Sequence, residues 1–179
     1  MAAIPYAAFL RGVNLGGRTT RSADLKAAFE AMGYKDARTL IASGNVLFSA
    51  EREADAELAG TIEKGLKDKF GFEIGVVLRS IDELRAMVAA EPFKSLPEGA
   101  DAKRYVLFLR EAVGKSLKLP FGVEGDHDVL SVTPTEIFAV AWHMPNGRYG
   151  EGLDALEKQF PKGTLMTMRN WNTILKAVA

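Results

Sequence analysis

Cysteine is absent from this chain of 179 residues. Its absence excludes disulfide bonds, thiolate metal sites and a cysteine nucleophile, and it is typical of proteins in a reducing compartment such as the cytoplasm. Long apolar runs are missing as well: none approaches the ~18 residues that a membrane span requires. The N-terminal stretch MAAIPYAAFLRG also lacks the basic start and long apolar segment of a signal peptide. We therefore expect a soluble cytoplasmic protein with no membrane partner.

The chain has no excess of charge of either sign. Its 23 basic and 23 acidic residues give a formal net charge of zero. Proteins whose main task is non-specific nucleic-acid binding need a surplus of positive charge to neutralise phosphates. The composition therefore gives no support for nucleic acid as a partner, although it leaves a local basic patch possible. Apolar residues make up 47% of the chain, which is enough for a packed core.

The first 90 residues predict the order β-α-β-β-α-β, with a further helix at the end. A buried strand ends at Arg11, a helix with Ser22 as its N-cap follows, and the turn Ser43-Gly44-Asn45 joins two short strands. A second helix over residues 55–70 leads to the fourth strand, and residues 80–83 (SIDE) then form a capping box. This is the split βαβ, or ferredoxin-like, order.

The second half of the chain repeats this order. Residues 91–102 (EPFKSLPEGADA) carry two prolines and predict a linker. Two short stretches recur in the same sequence order: Ala8-Phe-Leu-Arg11 as Leu107-Phe-Leu-Arg110, and Leu78-Arg-Ser80 as Met168-Arg-Asn170. We therefore expect an α+β tandem duplication of ferredoxin-like halves, residues 1–90 and 103–179, in one compact unit. Each half would be an antiparallel sheet with helices on one face, and a short helix would cover residues 111–119.

The stretch Gly12-Val-Asn-Leu-Gly-Gly-Arg18-Thr19 differs by one residue from the phosphate-loop pattern G-x-x-x-x-G-K-[ST]. A phosphate loop also needs a lysine, a second strand ending in an acidic residue, and a helix that begins at the Ser/Thr. Here Arg18 replaces the lysine, no apolar strand ends in Asp, and the helix is expected to begin at Ser22. These departures favour a connecting loop or an anion site over a nucleotide-hydrolysing loop.

The anion-site interpretation rests on the arginines of this loop. Arg11, Arg18 and Arg21 precede a helix N-terminus, which favours negative charge. The first two strands of a ferredoxin-like half run parallel, so their ends lie at the same edge of the sheet. This places the loop near the turn at residues 43–45. The predicted ligand-binding residues are Arg11, Asn14, Arg18, Ser43 and Asn45.

A second candidate group lies at the last strand-to-helix junction, where Arg169 and Asn170 precede Trp171. The pair can bind an anion beside an aromatic ring. Alternatively, Asn170 caps the last helix while Trp171 docks the helix on the core. The run Asp126-His127-Asp128 is interpreted as a solvated turn, because consecutive residues rarely converge on one metal ion. We expect no metal and no cofactor.

Four motifs together resemble the bacterial domain-of-unknown-function family 1697: residues 9–17 (FLRGVNLGG), 24–25 (DL), 43–46 (SGNV) and 169–173 (RNWNT). The resemblance covers nearly the whole chain and implies two ferredoxin-like halves in one compact unit. It implies no assigned activity and therefore no catalytic residues. It marks as motif positions Arg11, Asn14, Ser43, Asn45, Arg169, Asn170 and Trp171.

These observations favour a non-enzymatic binder of an anionic ligand, either a small phosphorylated molecule or a nucleic-acid phosphate. One alternative is an enzyme of unknown reaction whose site lies between the two halves. Another is a structural or interaction module, either a monomer or a homodimer, because sheet edges can pair between chains.

Overall fold

The computed structural model describes residues 2–14, 16–41, 44–51, 56–112 and 117–179. The fold is α+β with two antiparallel sheets, one of four strands and one of five, which confirms the predicted class. The chain divides into two compact units, Met1–Ala86 with Lys176–Ala179, and Met87–Leu175.

The elements of the first part of the chain are β1 (Ile4–Arg11), α1 (Ser22–Ala31), β2 (Lys35–Thr39), β3 (Asn45–Ala50), α2 (Ala56–Phe70), β4 (Gly75–Ser80) and α3 (Ile81–Ala89). The first sheet has the strand order β2-β3-β1-β4, and all its neighbouring strands are antiparallel. Strand β1 pairs with β3 on one side and with β4 on the other.

The core of the first unit joins one face of this sheet to α1 and α2. Leu58, Ile62 and Leu66 recur every four residues, so they lie on one side of α2 and are buried. On the sheet, Phe48 is surrounded by aromatic rings, with the centroids of Phe29 and Tyr34 each 5.1 Å away. Both faces of β1 are buried, which explains why its sequence is an apolar run rather than an alternation.

The elements of the second part of the chain are β5 (Ala102–Leu109), β6 (Gly122–Val123), β7 (His127–Val132), β8 (Glu136–Trp142), a 3₁₀ helix (Gly152–Gln159), β9 (Met166–Asn170) and α4 (Trp171–Val178). The second sheet has the order β6-β7-β8-β5-β9, again with antiparallel neighbours, so that β5 lies between β8 and β9.

The helix termini test the predicted caps. The capping box of α3 is confirmed: Ser80 N donates to Glu83 Oε2 at 2.7 Å, and Glu83 N donates to Ser80 Oγ at 3.1 Å. The prediction that Ser22 caps α1 is wrong, because Ser22 is the first helical residue. Arg21 holds the cap position in an extended conformation and makes no side-chain cap hydrogen bond.

Strand β6, residues 111–119 and the linker agree with the sequence analysis to different degrees. The two-residue edge strand β6 is not predicted, because two residues carry no periodicity. The helix expected at residues 111–119 lies partly outside the described residues, and those of its residues that are described are not helical. Within the predicted linker, the ring of Phe93 packs against Phe138 and Trp171, with centroids 6.1 and 5.1 Å away.

Among the described residues, no helix is both long enough and apolar enough to cross a bilayer.

Candidate functional site

The loop between β1 and α1 is built on left-handed backbone. Gly12, Asn14, Gly16 and Gly17 all have positive φ, between 54° and 86°. Glycine adopts this region without steric cost, and asparagine is one of the few other residues that tolerate it. The α1 helix begins at Ser22, beyond Thr19, and the sheet is antiparallel. These two facts remove the phosphate-loop interpretation, since such a loop places its Ser/Thr at the helix start within a parallel sheet.

A hydrogen bond between Asn14 and Thr20 links the two sides of this loop. The side-chain Oδ1 of Asn14 accepts a hydrogen bond from the backbone N–H of Thr20 at 2.9 Å. Thr20 is buried, although its neighbours on either side are exposed. Because the bond joins residues six apart, it fixes the width of the loop. Asn14 therefore shapes the segment that carries Arg18.

The end of β1 lies against the start of β3, as the strand directions predicted. Leu10 N donates to Gly44 O at 2.8 Å, and Phe9 is in register with Asn45. The Asn45 side chain is buried, and its Nδ2 donates to Leu40 O at 3.1 Å. Asn45 thus ties together the two ends of the β2–β3 connection. Ser43 lies outside the described residues.

Three exposed arginines stand around this loop. The guanidinium of Arg18 lies over the ring of Phe72, 5.0 Å from its centroid. Arg21 is at the start of α1, where its Nε is 3.8 Å from the Asp24 carboxylate. Arg11, the last residue of β1, is in register with Gly75 of β4. The loop therefore presents positive charge next to the positive end of a helix.

The second candidate group belongs to the junction of β9 and α4. Asn170 Oδ1 accepts from Asn172 N at 2.9 Å, so Asn170 caps α4. The Trp171 ring is buried, with ring centroids 5.1 Å from Phe93 and 6.0 Å from Phe138. These contacts confirm that Asn170 can cap the helix while Trp171 docks it on the core.

The Arg169 side chain forms hydrogen bonds with residues of its own strand, β9. Its Nη1 donates to Thr167 Oγ1 at 2.6 Å and to Met168 O at 2.9 Å. Burial disfavours the charged form and lowers the pKa of Arg169 to about 10. The guanidinium is therefore still protonated at neutral pH.

Arg79 is a residue that the site prediction missed. It lies next to the last residue of β4, and its Nη1 donates to Leu78 O at 2.8 Å. Like Arg169, it bonds the carbonyl of the preceding residue, and it is buried. The signal for it was present in the sequence, since the repeated stretches pair Leu78-Arg79 with Met168-Arg169.

The interpretation of residues 126–128 as a solvated turn before a strand fits only Asp126, which is half-buried in a turn; His127 and Asp128 belong to the strand. His127 is only 5% exposed and begins β7, and its Nδ1 is 2.6 Å from Asp126 Oδ2. The same carboxylate oxygen accepts from Gly152 N at 3.0 Å. The bond to His127 first, and the bond to Gly152 second, lower the pKa of Asp126. An Asp–His pair with an oriented ring is the kind of arrangement that proteins use to fix a tautomer.

The other histidine belongs to a polar group at the surface of the same unit. Tyr149 donates its hydroxyl hydrogen to Asp101 Oδ1 at 2.6 Å, and His143 Nδ1 is 3.4 Å from Asp101 Oδ2. Lys103 Nζ lies 4.7 Å from the centre of the Tyr149 ring. The bond to Asp101 raises the pKa of Tyr149, because it favours the neutral phenol. Across the described residues, no group of three or more His, Asp or Glu side chains could hold a metal ion.

Comparison with known proteins adds a family and a fold. A family model described as "Protein of unknown function (DUF1697)" matches residues 4–138. No curated protein matches the chain. Among solved structures, the chain is similar to the conserved bacterial protein SP0830 from Streptococcus pneumoniae, at 21% identity and a TM-score of 0.71, over 99% of this chain and 97% of that one. At this identity the likeness shows the fold alone.

Proposed function

Because the chain belongs to the family described as protein of unknown function DUF1697, a description that names no activity, we propose a function from its own residues: it binds an anionic ligand without catalysing a reaction. The ligand is a small phosphorylated molecule or an exposed phosphate of a nucleic acid. One observation carries the proposal, namely the three exposed arginines, Arg11, Arg18 and Arg21, around the glycine-rich loop between β1 and α1.

The geometry of the loop suits an oxyanion. Stacking on Phe72 occupies a face of the Arg18 guanidinium, whereas the N–H donors of a guanidinium point outward in its plane. The cap position of α1 supplies no side-chain acceptor to the first helical turn. Backbone N–H groups at such a turn, together with the helix dipole, favour negative charge. Arginine and helix N-terminus would thus act on the same ligand.

The polar residues of the loop divide into two roles. We assign ligand contact to Arg11 and Arg18, and we retain Ser43 as a proposed contact. We assign loop positioning to Asn14 and Asn45, because their carboxamides already bond Thr20 and Leu40.

We assign a structural role at the β9–α4 junction to Arg169 and Asn170, since both side chains form hydrogen bonds within it.

We also propose a cytoplasmic setting for this protein, which the absence of cysteine supports.

Thermal unfolding in the presence of phosphorylated compounds tests the proposal. The probes are inorganic phosphate, nucleotides, sugar phosphates and short single-stranded RNA. A ligand at one hundred times its Kd stabilises the folded state by about 2.7 kcal/mol and raises the melting temperature. The substitution Arg18→Ala should weaken that ligand roughly tenfold or more, because a charge-assisted hydrogen bond contributes about 1.5–3 kcal/mol.

Arg85 provides the matched control. It is exposed on α3, where its Nη1 is 3.5 Å from Asp82, away from the β1–α1 loop in sequence. The Arg85→Ala variant should bind the ligand like the parent protein. The proposal fails if no phosphorylated probe raises the melting temperature, or if Arg85→Ala weakens binding as much as Arg18→Ala does.

We also propose that the two sheets derive from a duplicated ferredoxin-like unit. In support, the order β2-β3-β1-β4 has its counterpart in β7-β8-β5-β9. The registers correspond as well: Arg79 pairs with Ala7, and Arg169 pairs with Val106, one residue before each repeated stretch. The backbone bond from Leu10 N to Gly44 O recurs from Leu109 N to Thr135 O, both at 2.8 Å.

An experimental structure tests the duplication. When the four corresponding strands of the two sheets are superposed, Arg79 and Arg169 should coincide. A superposition that aligns the strands only after a shift of one residue would contradict it, because such a shift moves every side chain to the opposite face.

A further inference from the structure

A cavity of about 430 Å³ lies beside β6 in the second unit, apart from the arginine loop in sequence. Two aromatic side chains, Phe121 and Trp142, and two carboxylates, Glu124 and Asp128, line it together with the backbone of Gly122 and Gly125. Small-molecule sites are typically concave, with aromatic walls and a few polar groups. This composition makes the cavity a candidate site of a different chemical type from the arginine loop.

The Asp128 carboxylate is fixed in place from two sides. Its Oδ2 accepts the indole N–H of Trp142 at 2.7 Å, which orients the carboxylate and the ring together. On the other side, a Cβ added to Gly122 would lie 2.6 Å from Asp128 Oδ1, so the carboxylate occupies space that only a glycine leaves open. The carboxylate is therefore preorganised, and its position depends on Gly122 and Trp142, which lie on either side of Asp128 in the sequence.

The charge of the cavity is negative. Within the described part of the chain, no lysine or arginine forms an ion pair with Glu124 or Asp128, and Trp142 is a neutral donor. Carboxylates near aromatic faces attract cations, and the ring quadrupole adds to that attraction. An anion would be repelled here.

Part of the cavity lining is apolar. Pro120 and Phe121 line it beside the two carboxylates. A bare metal ion would gain nothing from this apolar wall, and the described residues offer no cluster of three or more His, Asp or Glu side chains that could hold one. A ligand that carries both a positive charge and an apolar body would use the apolar wall and the carboxylates together.

We propose that this cavity binds an organic cation whose ammonium or guanidinium group lies against Trp142 and the carboxylates of Asp128 and Glu124. The apolar body of the ligand lies along Pro120 and Phe121. This site is independent of the anion site proposed above, so either can exist without the other.

The indole N–H signals in a two-dimensional ¹H–¹⁵N NMR spectrum provide a direct readout. The chain has two tryptophans, hence two such signals, and Trp142→Phe identifies the relevant one. Phenethylammonium should shift the Trp142 signal in a saturable manner, whereas the neutral analogue 2-phenylethanol should not. The Trp171 signal should stay in place, because that ring is buried in the aromatic cluster with Phe93 and Phe138.

Two charge-removing variants complete the test. Asp128→Asn keeps an oxygen acceptor for the indole but removes the charge, and it should weaken phenethylammonium at least about tenfold. Asp68→Asn, at an exposed position of α2, should leave the affinity unchanged. The inference is overturned if the Trp142 signal does not respond, if 2-phenylethanol binds equally well, or if Asp128→Asn binds as tightly as the parent. Stronger binding of Ca²⁺ than of the amine would also overturn it, because that result would indicate a metal site.

Discussion

At the scale of single residues, two glycines beside the Asp126–His127 pair are tightly constrained. A Cβ on Gly150 would overlap Asp126, and a Cβ on Gly152 would overlap the His127 ring and lie 2.6 Å from Asp126 Oδ2. Gly152 also donates its N–H to that oxygen. Glycine is therefore required at both positions because the backbone lies too close to Asp126 and His127 to leave room for a side chain.

The substitution Gly152→Ala tests this requirement. The added methyl group has to displace the His127 ring or the Asp126 carboxylate, so we expect the free energy of unfolding to fall by about 1–3 kcal/mol, as in other overpacked interiors. Urea denaturation measures the change. Gly60→Ala in α2 is the matched control: a Cβ there meets nothing within 4 Å, and alanine should stabilise the helix by up to about 1 kcal/mol. Equal stability of Gly152→Ala and the parent would contradict the packing argument.

At the scale of elements, strand-to-helix junctions show what the sequence can and cannot predict. The Ser80–Glu83 box and the Asn170 cap were predictable, because a cap depends on residues two or three apart. The cap of α1 was not predictable, because Arg21 holds the cap position without a side-chain hydrogen bond, so no typical cap residue marks it in the sequence. Contacts between residues distant in the sequence also explain why the Gly152–Asp126 bond and the Trp142–Asp128 bond escaped prediction.

The two serines allow a matched test of the caps. In Ser80→Ala, the N–H of Glu83 loses its side-chain acceptor, so we expect a loss of about 0.5–2 kcal/mol in unfolding free energy. In Ser22→Ala, the substituted residue is the first residue of α1 and not its cap, so no side-chain cap hydrogen bond is lost. We expect a near-neutral or slightly stabilising effect there, because alanine has the highest helix propensity. Urea titrations of both variants give the comparison, and a larger loss for Ser22→Ala would show that the caps are misassigned.

At the scale of the whole molecule, charge is balanced overall but uneven locally. The chain has no net charge, so it lacks the long-range field with which nucleic-acid-binding proteins collect polyanions. Positive charge at the proposed anion site comes from the three arginines around one loop, and negative charge at the proposed cation site comes from Glu124 and Asp128. Recognition by either site would therefore depend on short-range geometry more than on steering.

This balance predicts a shallow salt dependence for any single-stranded RNA that binds at the loop. Each phosphate neutralised on a single strand contributes about −0.7 to the slope of log K against log salt, so three arginines give a slope of about −2. Binding isotherms at several NaCl concentrations measure this slope. Arg18→Ala should reduce its magnitude by about 0.7, whereas Arg85→Ala should leave it unchanged. A slope steeper than about −5 would require more cations than the loop carries. In that case the RNA would have to contact another surface, and the assignment of the site to this loop would be wrong.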